Sequence, residues 1–279
     1  MRTIDRGFVR TKGGEIHLRQ VAGEGTPLLL VHASPGSSRA LVPLLSALAG
    51  SDLPLIAPDT PGNGDSDDLA PADPDMDWYA DALAALLDRL GLDQVDLYGT
   101  HTGARIAVET AARHPARVGR LILDGLIDYP PDVRALFLQH YAPEKTPDDY
   151  GGQYGWAFNY IRDQVVHFPH FLRDPEHRLM TRAMPDAAQL HAATLDVLKA
   201  LTSYHKAYRA AFRHPVAERL SAVQAPTQVW RAEGELPDLR AAVDGLAARL
   251  PAGEIVEVGR APTEKAAAIA AFLGRAPRS

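Results

Sequence analysis

Short, fully apolar runs alternate along the chain with stretches whose apolar positions recur every three to four residues. That alternation predicts strands buried on both faces, separated by amphipathic helices, as in a mostly parallel sheet covered by helices. Phe8–Thr11 and Glu15–Val21 flank Gly13-Gly14 as a hairpin would. Pro27–His32 and Leu53–Ala57 read as the next two strands, and Trp78–Leu90 as a helix stopping at Gly91. Gln94–Tyr98 is a strand, Thr102–His114 a helix closed by Pro115, and Arg120–Leu123 a further strand. The pattern resumes with strand Thr227–Arg231, helix Pro237–Leu250, strand Glu254–Val258 and helix Thr263–Leu273.

Between about Asp128 and His214 the pattern changes: no convincing strand appears, and aromatics gather there with six histidines between His140 and His205. A helical excursion of this kind between two sheet strands is expected to cover the strand ends, where open α/β sheets bind ligands.

Composition narrows the partners. The 279 residues are 46% apolar and 23% charged, with a net charge of −6 spread along the chain. Nucleic acid is an unexpected partner without a concentrated basic face. The absence of cysteine excludes disulfides, thiolate metal ligands and a cysteine nucleophile together. No apolar run approaches the roughly 18 residues of a membrane span, and the first residues contain no apolar signal core, so a cytoplasmic protein is expected. A homodimer is compatible with these numbers.

The most informative stretch is Val95 to Glu109, in which an apolar strand meets Gly99-Thr100-His101-Thr102-Gly103 and a helix begins at once. This has the form of a nucleophile elbow, G-x-S-x-G, with histidine at its centre. Three more segments fall in register with it. His32-Ala33-Ser34-Pro35-Gly36 is similar to an H-G-x-P-G loop, and Ala57-Pro58-Asp59-Thr60-Pro61-Gly62-Asn63-Gly64-Asp65-Ser66 to an A-x-D-x-P-G-x-G-x-S loop. Pro226 to Trp230 looks like the strand that leads to an acid. Together the four resemble the α/β-hydrolase superfamily over nearly the whole chain. The resemblance implies an α/β-hydrolase fold: an eight-stranded, mostly parallel sheet with helices on both faces and an inserted helical lid. Residues 1–127 and 215–279 would form the core and 128–214 the lid.

The superfamily uses an elbow nucleophile, an acid and a late histidine, and this chain departs at each place. The elbow residue is His101. The acid position falls on Glu235 or, as in some relatives, on Asp124 after the sixth strand, with topology favouring Asp124 as the partner of His101. The Gly-His pair expected after Val258 reads Gly259-Arg260, and no histidine follows His214. The catalytic triad is therefore degenerate, and serine-triad hydrolysis is not expected.

What remains is an imidazole on an elbow beside a helix start. By the resemblance, the backbone amides of Ser34 and Thr102 would form the oxyanion hole. The helix start should disfavour the imidazolium of His101. The leading expectation is a cofactor-free enzyme in which His101 is general acid/base for cleavage or rearrangement next to a carbonyl of a small organic substrate. The alternatives are a non-catalytic ligand-binding relative and an esterase-like hydrolase using a Ser34–His101 dyad. A zinc site built from His101, His167 and His170 is disfavoured by Pro169, and no metal is expected. In the insertion, Trp156, Tyr160, Asp163 and His167 share one helical face; that face either lines the pocket or packs the lid internally. Trp156, His167, His170, Tyr204 and His205 are the candidate substrate contacts. His32, Asp59 and Asp65 are read as braces of their loops.

Overall fold

The computed structural model describes residues 2–180 and 183–274. Residues 275–279, which the sequence assigns to the core, lie outside the described residues, as do 181 and 182 of the insertion. Eight strands form one sheet in the order β1-β2-β4-β3-β5-β6-β7-β8. The hairpin β1 (Asp5–Thr11) and β2 (Gly14–Val21) is antiparallel, and β2 also runs antiparallel to β4 (Leu55–Pro58). From β4 through β3 (Leu28–Val31), β5 (Val95–Thr100), β6 (Val118–Asp124), β7 (Thr227–Ala232) and β8 (Gly253–Val258), every pair is parallel. The unbroken apolar runs are explained by burial on both faces: all four residues of β3 are completely covered.

Side-chain alternation divides the core in two. Leu29, Val31, Leu97, Leu121, Leu123 and Val229 face α2 (Met76–Leu90), α3 (Thr102–Arg113) and α9 (Pro237–Ala247). Leu28, Leu30, Tyr98, Ile122 and Trp230 face α1 (Val42–Leu48) and α10 (Pro262–Phe272). Helix α2 starts two residues before the predicted Trp78, because the Asp75 carboxylate accepts from the Trp78 amide at 2.8 Å and caps it. Helix α9 ends three residues short of the predicted Leu250.

The segment between β6 and β7 contains α4 (Pro131–His140), α5 (Gly152–Val166), α6 (Ala187–Lys199) and α7 (Tyr204–Arg213), followed by the short α8 (Val216–Leu220). These inserted helices have a core of their own, built on Phe137, Tyr141, Tyr160, Tyr204, Tyr208 and Phe212. They dock on the loop after β4 through Lys199–Asp65, Lys206–Asp68 and Arg213–Asp73 ion pairs. A further anchor is buried: Asp196 accepts from Ser37 Oγ at 3.0 Å and pairs with Arg39 at 2.8 Å. No helix among the described residues is long and apolar enough to cross a membrane.

Candidate active site

The elbow forms as its sequence predicts. His101 has φ 49° and ψ −110°, the single non-glycine residue with positive φ among the described residues. Such a conformation costs energy and persists where the surroundings fix it. Here they do: the His101 amide donates to the Asp124 carbonyl at 2.9 Å, and α3 starts immediately after it. Both flanking glycines are required by contact, since a Cβ on Gly99 would lie 2.4 Å from the Gly103 carbonyl oxygen and one on Gly103 would lie 2.3 Å from that of Val31.

The elbow presents the His101 side chain, 44% exposed, to a cavity of about 480 Å³ between the sheet's strand ends and the inserted helices. Its ring lies over Gly125, where a Cβ would meet ring atom Cε1 at 2.7 Å. Ser34, Thr102, Glu235, Arg260 and Lys265 line the same cavity, and Tyr129, Tyr141, Phe168, Tyr208 and Phe212 supply its aromatic wall.

The partner of His101 is Glu235. Its Oε2 lies 3.2 Å from His101 Nε2, and its Oε1 accepts from the Leu236 amide at 3.0 Å. The expectation for Asp124 is corrected here. Alternation along β6 puts the Asp124 side chain on the face shared with Ile122, toward α10 and away from the His101 ring. There its Oδ2 accepts from Tyr98 at 2.6 Å and from Lys265 at 2.6 Å, while the buried Oδ1 has no hydrogen-bond partner among the described residues. Both acid positions thus keep a basic side chain as partner, Glu235 the imidazole at the elbow and Asp124 the Lys265 amine on α10.

The expected direction of the His101 pKa is also corrected. Desolvation opposes the imidazolium, but the hydrogen bond and charge of Glu235, with the charge of Asp124, outweigh it. The result is a pKa above the ordinary histidine value, with Lys265 acting in the opposite sense.

The loop that carries Ser34 is held from two sides. His32 Nδ1 donates to the Ala33 carbonyl at 2.9 Å and its Nε2 accepts from the Thr60 amide at 2.9 Å, a neutral, buried ring whose pKa desolvation lowers. Tyr208 donates to the Ser34 carbonyl at 2.7 Å. Asp59 accepts from the Ser38 and Asp65 amides at 2.6 and 2.9 Å, so it braces both loops. No hydrogen bond joins Ser34 Oγ to His101 among the described residues.

None of the five candidate substrate contacts in the insertion lines this cavity. Trp156 stacks on Tyr160 with centroids 5.0 Å apart, and Tyr204 is fully buried and donates to the Pro143 carbonyl. His170 Nε2 donates to the Tyr141 carbonyl at 2.9 Å, its ring edge-on to Tyr141 and Tyr160. His167 pairs with Arg178 in an isolated bridge, and His205 is buried 3.8 Å from Glu144. The insertion needs these rings to fill its own interior, so its aromatic stripe turns inward. Asp163, buried on the same face, pairs with Arg162 at 3.0 Å and with Arg173 at 2.9 Å. Residues of the cavity that sequence reasoning missed are Arg105, Arg260 and Lys265. Arg260 could have been found, because it stands where the superfamily resemblance places a histidine.

This architecture, with an elbow between the fifth strand and its helix, defines an α/β-hydrolase. The chain belongs to that family: the model of the alpha/beta hydrolase fold matches residues 26–241. Among curated relatives, 2-hydroxymuconate semialdehyde hydrolase of Pseudomonas sp. (strain CF600) is 38% identical over 110 residues, 37% of this chain and 38% of that protein. Proline iminopeptidase of Heyndrickxia coagulans is 33% identical over 121 residues, 42% of this chain and 41% of the other. The matched stretches thus span about two fifths of these relatives, all of them named as hydrolases or peptidases. Epoxide hydrolase A from Mycobacterium thermoresistibile superposes over 99% of this chain and 100% of its own, with a TM-score of 0.76 at 19% identity, a likeness of fold.

Proposed function

We propose that the protein is a cofactor-free enzyme in which His101 acts as general acid/base on a small organic carbonyl compound, with the inserted helices serving as a lid. The observation that carries this reading is the His101–Glu235 pair on an elbow facing the cavity. A carboxylate on Nε2 orients the ring and leaves the proton-transfer role to Nδ1, as the acid of a triad does for its histidine. The base stands where a nucleophile would, so the atom it deprotonates belongs to water or to the substrate. The amides of Ser34 and Thr102 are the oxyanion donors; Thr102 opens α3, and neither amide donates to a backbone acceptor among the described residues. Relatives named for hydroxy-oxo acids and a semialdehyde support bond cleavage next to a carbonyl.

The test is to incubate the purified protein with 2-hydroxymuconate semialdehyde and with 2-hydroxy-6-oxononadienedioate, and to follow the products by mass spectrometry. Turnover that depends on His101 supports the proposal. Binding without product across the panel, or labelling of a serine by a phosphonate that stops turnover, would refute it.

Two further outcomes are expected. Glu235→Gln removes the hydrogen bond and charge that hold the imidazolium, so the rising limb of the pH–rate profile moves to lower pH while the maximal rate falls. An unmoved limb would separate Glu235 from the chemistry. Gly125→Ala places a methyl group against the ring at a residue with φ 74°. Displacing a catalytic group by about 1 Å can cost on the order of a hundredfold; a loss of turnover of about ten- to hundredfold is expected, read from kcat at saturating substrate.

A further inference from the structure

We infer that Arg260 makes the cavity selective for an organic anion, seating a carboxylate on its guanidinium beside His101. This deepens the proposed reading by naming the substrate class, but it concerns binding and can be tested without catalysis. The other fixed cations among the cavity's described residues are engaged. Lys265 is tied to Asp124 at 2.6 Å, and Arg105, nearly fully buried, donates to the carbonyls of His214 and Ile127. Arg260 lines the same cavity and forms no ion pair with any described residue, although Glu233 and Glu235 line it too. Its stem lies against the turn that carries Glu235, where a Cβ on Gly234 would come within 3.3 Å of Arg260 Cδ. Guanidinium and acid/base pair therefore open on one space.

The chemistry of the substitution points the same way. An imidazole at this place could accept a proton; a guanidinium in a protein cannot lose one, so it offers permanent positive charge and a planar fork of donors. That fork matches a carboxylate in two parallel hydrogen bonds. The ligand is thus an acid whose carbonyl lies a few atoms from its carboxylate, so that one end reaches Arg260 while the other reaches the elbow.

The experiment is calorimetric titration of the full chain with 6-oxoheptanoate and with its methyl ester, a keto acid and its neutral counterpart, with mass spectrometry used to check that the ester stays intact through the titration. The expected result is binding of the acid about ten- to hundredfold tighter than the ester, the worth of one charge-assisted pair, weakening as salt is raised. Arg260→Gln should bring the acid's Kd to within about twofold of the ester's, and Arg260→Lys should keep an intermediate preference. Equal binding of acid and ester by the unaltered protein, no binding of the acid, or a preference that survives Arg260→Gln would overturn the inference. Because the readout is binding, a failure of the acid/base reading would show instead as turnover indifferent to His101, with the acid preference intact.

Discussion

Replacing His101 with alanine is expected to lower turnover by about 10²–10⁴-fold, the usual worth of a positioned general acid/base, and to leave the fold intact. The ring is 44% exposed to the cavity and contributes little to the core, so thermal unfolding should shift by a few degrees at most. Asparagine is the more informative second variant, because it tolerates positive φ better than alanine yet provides no base. Equal losses in both variants, with unchanged melting, would attribute the effect to the imidazole and not to the backbone. A serine at position 101 should gain no esterase activity, since Arg260 stands where the activating histidine is needed. Wild-type rates in His101→Asn would remove the proposed mechanism.

The largest expected effect on stability lies behind the site, at Glu109 on α3. Its carboxylate is completely buried, accepts two bonds of 2.7 Å from Arg219 and one of 3.0 Å from His214, and so ties α3 to the end of the insertion and to α8. Desolvation works against its charge, but these bonds outweigh it and hold the pKa down to about 2. Burial lowers the pKa of His214, so that ring is neutral near pH 7 and Arg219 is the counter-charge. Glu109→Ala should cost about 3–5 kcal/mol, as breaking one side of a buried pair does, and lower the melting temperature by on the order of 10 °C. Glu109→Gln should cost less. A folded pKa below the unfolded one means that the stabilisation is complete above the ordinary glutamate range and is lost as pH falls toward 2. Denaturation midpoints of wild type and Glu109→Gln should therefore converge on acidification; parallel curves would show that the charge contributes nothing.

The elements that sequence reading located most firmly are those whose signal is carried by neighbours along the chain. The strand at Leu28–Val31 is legible because a strand covered on both faces must be apolar throughout. The elbow is legible because backbones approaching as closely as those at Gly99, Gly103 and Val31 exclude any side chain. The insertion's aromatic stripe was also legible, but periodicity gives a face without saying what covers it. Trp156 and Tyr204 met their own subdomain's rings, not the cavity.

The sequence by itself determined the doubly covered sheet, the helical insertion, the elbow and the identity of the residue at its tip, since burial, chain sterics and glycine spacing act over a few residues. Tertiary structure alone decided which carboxylate meets that residue. Glu235 comes to His101 across 134 positions of chain, while strand alternation turns Asp124 to the opposite face and gives it to Lys265. Such pairings depend on where distant side chains converge in space, and charge, desolvation and hydrogen bonding then set the protonation of the group they surround.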